Sequence, residues 1–159
     1  MTMSRNERLA KVLDDRGLKL SLAESCTGGL IGSILTSMSG SSSFFMGSAV
    51  TYSNESKERL LGVSHDSLVR YGAVSKAVAE QMAEGSLRVY GSDIAGSVTG
   101  IAGPGGGTSE KPVGTVWMAV TDGKVTEAFE NHFDGTRDEI RQRTAEVLME
   151  HLIELAERE

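Results

Sequence analysis

Hydrophobic positions recur along this chain in two rhythms, one helical and one alternating. Leu9, Val12 and Leu13 fall on one face of a helix over Arg5 to Arg16, which Gly17 ends. Lys19 to Ala23 alternates as a strand does, with Leu20 and Leu22 on one side. The turn Glu24-Ser25-Cys26-Thr27-Gly28-Gly29 follows. Thr27 is the expected cap of a helix from about Gly28 to Ser37, striped by Leu30, Ile31, Ile34 and Leu35. Ser37 to Ser43 reads as a loop and Phe44 to Tyr52 as a strand. Asn54 is placed to cap a short helix through Leu61, which Gly62 closes. Ser75 caps a longer helix through about Tyr90, with Val78, Met82 and Leu87 among its apolar positions. Asp93 to Thr99 is a strand, and a glycine-rich loop follows it. Gly114 to Thr121 and Val125 to Phe133 form a strand pair turned at Asp122-Gly123, a hairpin signal. Thr136 caps a last helix through Arg158, carrying Ile140, Val147, Leu148, Leu152 and Leu155.

Helices and strands interleave, and only the late hairpin demands antiparallel pairing. The pattern predicts one α/β domain over residues 1–159. It has three layers, α/β/α, around a mixed, mostly parallel sheet. A length of 159 residues suffices for one real core.

Composition narrows the partners more than the fold. The net charge of −6 speaks against a nucleic-acid footprint, which is ordinarily basic. No apolar run reaches the roughly 20 residues of a membrane span, and the charged N-terminal stretch lacks a secretory pattern. A soluble, cytoplasmic protein is expected. Cys26 is the only cysteine, so no disulfide forms within the chain. His65, His132 and His151 lack metal-like spacing, and no metal site is expected.

Candidate chemistry clusters in four places. Gly40-Ser41-Ser42-Ser43 and Tyr52 to Lys57 flank one strand and supply hydroxyls, a tyrosine and a lysine. A serine needs a base to act as nucleophile, and a buried lysine serves once its neutral form is accessible. Ser42 with Lys57, oriented by Tyr52, is the expected set. Gly100, Gly103, Gly105 and Gly106 follow a strand, where unshielded N–H groups can cradle an anion, although no Gly-Lys-Ser/Thr ends the run. The Ser25 to Gly29 turn is a second place for a carboxylate or phosphate. Arg137 and Arg141 share a helix face and suit the same anions.

These runs resemble the CinA C-terminal-domain family, which includes the nicotinamide mononucleotide amidohydrolases. The resemblance is carried by LAESCTGGLIG at Leu22 to Gly32, GSSSFF at Gly40 to Phe45 and VTYSNESKERLLGV at Val50 to Val63. YGAVS at Tyr71 to Ser75 and SVTGIAGPGGGTSEKPVGTVW at Ser97 to Trp117 complete it. It covers nearly the whole chain and implies a stand-alone form without a second, N-terminal domain.

The resemblance implies hydrolysis of the carboxamide of nicotinamide mononucleotide to nicotinate mononucleotide and ammonia, without metal or organic cofactor. Ser42 would be the nucleophile, Lys57 the general base and Tyr52 its partner. Ser25, Thr27, Ser41, Thr99, the loop glycines and Arg137 or Arg141 would hold the nucleotide. A homo-oligomer, dimer or higher, is also implied. Ser48 stands where relatives commonly have glycine, so Ser41, Ser42 and Ser48 all remain open as nucleophile. Thr136 replaces a usual aspartate but keeps the ability to cap.

Overall fold

The structure, a computed structural model, describes residues 2–158; Met1 and Glu159, the ends of the expected domain, lie outside it. The elements run α1 Arg5–Arg16, β1 Leu20–Glu24, α2 Leu30–Thr36, β2 Phe45–Val50, α3 Asn54–Leu61 and α4 His65–Tyr71. They continue α5 Lys76–Tyr90, β3 Ile94–Gly100, β4 Thr115–Thr121, β5 Thr126–His132 and α6 Arg137–Glu157. The strands form one sheet in the order β2-β1-β3-β4-β5. β1 pairs parallel with β2 and β3, while β3–β4 and β4–β5 are antiparallel. The sheet is therefore mixed, as expected, but divided evenly rather than mostly parallel. The cause is that β4 follows β3 through a loop without a helix, so it must return antiparallel.

The two faces of the sheet differ in side-chain size. Leu20, Leu22, Ile94, Val98, Val116 and Met118 pack against α1, α2 and α6, burying Leu9, Leu13, Ile31, Leu35, Leu148 and Leu152. The opposite face carries small residues. Ala23 packs with Leu61, Leu68, Val78 and Met82 of α3, α4 and α5, and Ala119 packs with Ala79 and Ala83. Ser21 and Ser97 also face that side, with Ser21 Oγ 2.8 Å from Ser86 Oγ and Ser97 Oγ donating to the Ala79 carbonyl at 2.6 Å. Small residues let α5 lie close on the sheet.

Most elements form where periodicity places them. α4 has no counterpart in the sequence reading: it is short and buries only Ser67 and Leu68, too little to leave a periodic stripe. The cap of α3 is Ser53, whose Oγ accepts from the Ser56 N–H, rather than Asn54. That frees the Asn54 side chain. The cap of α2 is also displaced. Gly29 occupies the cap position with φ 101°, and no side chain of its own bonds the helix.

Gly85 lies inside α5, where alanine would ordinarily favour the helix by about 1 kcal/mol. A Cβ at Gly85 would overlap the Leu61 carbonyl oxygen at the end of α3. The sign therefore reverses. Gly85→Ala is expected to lower stability by about 1–3 kcal/mol, read as a lower urea midpoint with unchanged slope.

Candidate active site

The parity of β1 decides how the site is built. Leu20, Leu22 and Glu24 face the α2/α6 side; Ser21, Ala23 and then Ser25 face the α3/α5 side. Two adjacent polar residues are thus sent to opposite faces. Glu24 is fully buried and its carboxylate gathers five donors. Thr27 Oγ1 donates to it at 2.6 Å, the N–H groups of Gly29, Ile31 and Gly32 at 3.2, 3.0 and 3.0 Å, and Ser48 Oγ at 2.7 Å. Glu24 therefore caps α2 from within the sheet, in place of the Thr27 cap expected, and holds the turn after β1.

Ser25, at the other face, meets Lys57. Lys57 is 1% exposed, and its Nζ donates to Ser25 Oγ at 2.9 Å and to the Thr51 carbonyl at 2.6 Å. Lys57 and Leu61 are four apart on the buried face of α3. Burial pushes the Lys57 amine down from 10.5 to about 8. Cys26, beside Ser25, is also buried, which pushes its thiol up to about 12 and keeps it protonated.

Ser25 and Lys57 lie in a cleft of about 330 Å³. Thr99, Gly100, Gly103, Gly105 and Gly106 line it from the end of β3 and the loop beyond. Tyr52, Asn54 and Arg137 also border it. Thr99 Oγ1 donates to the Ala73 carbonyl at 3.0 Å. The Arg137 guanidinium bridges two sides, donating to the Gly103 carbonyl at 2.8 Å and to Tyr52 Oη at 3.3 Å. Among the described residues no group of three or more His, Cys, Asp or Glu side chains is arranged to hold a metal ion.

Several expected site residues lie elsewhere. Ser41 and Ser42 belong to a short 3-10 turn, Ser41–Ser43, that enters β2. Lys57 is bound beyond the far end of β2, at Thr51. Five residue steps at about 3.3 Å put roughly 17 Å of strand between those ends. Ser42 is exposed and does not meet Lys57, so nearness in sequence does not bring the expected pair together. Ser48 is engaged by Glu24 and Thr27 turns into the same carboxylate. Tyr52 is 65% exposed and bonds Arg137 rather than orienting Lys57. Arg141 does not border the cleft. Cys26, Asn54, Ala73, Val74, Ile101 and Ala102 line it and were not singled out for it. Strand parity at Ser25 and the Lys57–Leu61 spacing were the available signals for the central pair.

The CinA C-terminal domain family model matches residues 2–156. The chain belongs to the CinA C-terminal domain family. It is 49% identical over 139 residues to the nicotinamide-nucleotide amidohydrolase PncC of Enterobacter agglomerans, covering 86% of this chain and 84% of that protein. A CinA-like protein of Endomicrobium trichonymphae is 50% identical over 151 residues, covering 92% of this chain and 35% of that protein. The chain thus spans about a third of the length of such CinA-like relatives. Among solved structures, the competence/damage inducible protein CihA of Agrobacterium tumefaciens superposes with a TM-score of 0.89 at 42% identity, covering 98% of this chain and 99% of that one. The competence damage-inducible protein A of Klebsiella pneumoniae gives a TM-score of 0.93 at 35% identity, covering 98% and 97%.

A buried amine that prefers to be neutral has a sign in stability. The unfolded chain protonates Lys57 below 10.5, the folded one only below about 8. The folded state thus carries the full penalty below about 8, and the penalty fades as pH rises toward 10.5. Lys57→Met, which loses the charge and its hydrogen bonds, is expected to be more stable than the parent by about 1–3 kcal/mol at pH 7. The gap should close by about pH 10, measured from urea midpoints of both proteins.

Proposed function

We propose that this chain hydrolyses the carboxamide of nicotinamide mononucleotide, giving nicotinate mononucleotide and ammonia, with Ser25 as nucleophile and Lys57 as general base. The observation that carries the reading is the buried contact of Lys57 Nζ with Ser25 Oγ at 2.9 Å, in the cleft that Arg137 borders. The similarity to a protein named for this activity supports the substrate class.

The chemistry follows from the pair. Neutral Lys57 takes the Ser25 hydroxyl proton as Oγ attacks the carboxamide carbon, and the carbonyl oxygen gains negative charge. Backbone N–H groups of the turn after Ser25 receive that charge. The tetrahedral adduct collapses, the C–N bond breaks, and the Lys57 ammonium gives its proton to the departing amine, which leaves as ammonia. Water then attacks the Ser25 ester while Lys57 takes its proton. Carboxylate is released as the proton returns to Ser25. With the amine pushed down to about 8, roughly a tenth of it is neutral at pH 7.

Arg137 and the glycine loop receive the phosphate, and Tyr52 offers a ring face to the pyridinium. A binding domain of the same fold without turnover is the alternative, and the assay below separates the two.

Ammonia release from nicotinamide mononucleotide is expected for the wild type and for Ser42→Ala. Ser25→Ala and Lys57→Met should lose at least about 10³-fold in kcat. Activity retained by Ser25→Ala would sink the dyad, and nucleotide binding without turnover in the wild type would leave the binding domain.

kcat/KM should rise with pH through about 8, the range in which Lys57 becomes neutral. The bound pyridinium adds a positive charge near Lys57 and pushes its amine lower still. The acid limb of kcat should therefore lie below that of kcat/KM in a pH series. Coincident limbs would place the cationic ring away from the lysine.

A further inference from the structure

The two arginines at the start of α6 reach different places. Arg137 bonds Gly103 and Tyr52 at the cleft, whereas Arg141, one turn on, reaches the residues that follow Ser25. Its Nη2 donates to the Thr27 carbonyl at 2.8 Å and its Nε to the Cys26 carbonyl at 3.3 Å. The third nitrogen, Nη1, stands 3.7 Å from the Asp138 carboxylate. A planar guanidinium holds two carbonyls in fixed relative positions, which a single ammonium does not.

The grip has a consequence for the nucleophile. The Gly28 N–H donates to the Ser25 carbonyl at 3.1 Å, and Arg141 holds the next two carbonyls. In a trans peptide the N–H points opposite to its C=O. Anchoring the Ser25 carbonyl sets the direction of the Cys26 N–H, and anchoring the Cys26 carbonyl sets that of the Thr27 N–H. Among the described residues neither N–H donates to a backbone carbonyl. Cys26 borders the cleft directly after Ser25.

We propose that Arg141 is a positioning residue: its guanidinium fixes the Cys26 and Thr27 peptides, and through them the Ser25 hydroxyl and the Cys26 N–H that receives the oxyanion, without touching the substrate. This rests on the Ser25–Lys57 reading above. It separates two residues of the same type on one helix face. Arg137 acts on KM through the nucleotide, and Arg141 acts on kcat through the turn.

The test compares Arg141→Ala, Arg141→Lys and Arg137→Ala in two assays. One is ammonia release from nicotinamide mononucleotide. The other is the rate of Ser25 labelling by a fluorophosphonate, which needs no nucleotide. Arg141→Ala should lose on the order of 10² in kcat with KM within about threefold, the scale of a misaligned oxyanion donor. Labelling should slow in parallel. Added methylguanidinium should restore about tenfold of the loss. Arg141→Lys, which keeps the charge without the fork, should recover less than that. Arg137→Ala should instead raise KM and leave labelling unchanged. Where Arg141→Ala proves too unstable to assay, Arg141→Lys carries the same comparison. A KM rise in the Arg141 variants with kcat and labelling intact would overturn the proposal and make Arg141 a substrate contact. Wild-type labelling without nucleotide turnover would sink the substrate assignment alone, and labelling slowed in the Arg141 variants would still support positioning. A wild type inert in both assays would overturn the dyad and this proposal with it.

Discussion

Keeping an amine out of water at Lys57 is the constraint around which the site is arranged. Taking an ammonium from water costs several kcal/mol, and each hydrogen bond to it returns about 1.5–3. Lys57 has two acceptors, Ser25 Oγ and the Thr51 carbonyl, and neither is an anion. The compensation is incomplete, and the amine is driven toward its neutral form. The Thr51 hydroxyl is buried with no partner among the described residues, a further cost at the same spot. What holds Lys57 in place is apolar: Leu61 packs on Val78 and Met82, and Gly85 lets α5 meet the end of α3. Stability elsewhere in the layer thus sustains a group that would otherwise stay in water.

The second arrangement is the division of labour between Glu24 and Ser25. Consecutive strand residues point to opposite faces, so one chain segment serves two layers. Glu24 ties α2 and the turn to the sheet with a charge that is fully partnered. Ser25 is thereby delivered to the other layer, where α3 supplies Lys57. A helix over β1 on one side and a lysine on the other meet at a single peptide. Register matters here more than loop flexibility: Glu24 pairs with Val50 on β2 and Val98 on β3, which brings Thr51 and Thr99 to the same end of the sheet as Ser25.

Much of this was legible in the chain. α1, α5 and α6 bury long apolar stripes, and the hairpin turns at Asp122-Gly123 where its residues say it should. α4 was not legible because a seven-residue helix with one buried apolar side chain, Leu68, leaves no period to detect. The caps of α2 and α3 shifted because a buried carboxylate and a neighbouring serine outcompeted the residues placed by local rules. Lys57 and the glycine loop were found by residue type. Ser42 was favoured because its run of hydroxyls and Lys57 flank one strand and because the family resemblance implied it. It sits at the wrong end of β2, a distance that only the direction of the strand reveals. Ser25 needed two readings combined, the parity of β1 and the face of α3, and neither alone names it.

The division between Arg137 and Arg141 follows from the same geometry. A helix whose first turn crosses the carboxyl end of the sheet presents one residue to the open cleft and, one turn later, another to the backbone beneath it. Charge alone does not distinguish the two; their partners do. Arg137 bonds one carbonyl and one phenol at the rim, contacts that a phosphate could replace at little cost. Arg141 bonds two carbonyls of a turn whose Ser25 carbonyl is already held by the Gly28 N–H, contacts whose loss would leave both carbonyls searching for donors. The more exchangeable pair suits binding, and the less exchangeable pair suits holding the turn after Ser25 still. At the floor of the cleft burial drives Lys57 toward its neutral form, while the permanent positive charge of Arg137 stays at the rim, so the two cations of the cleft are kept apart in place and in kind.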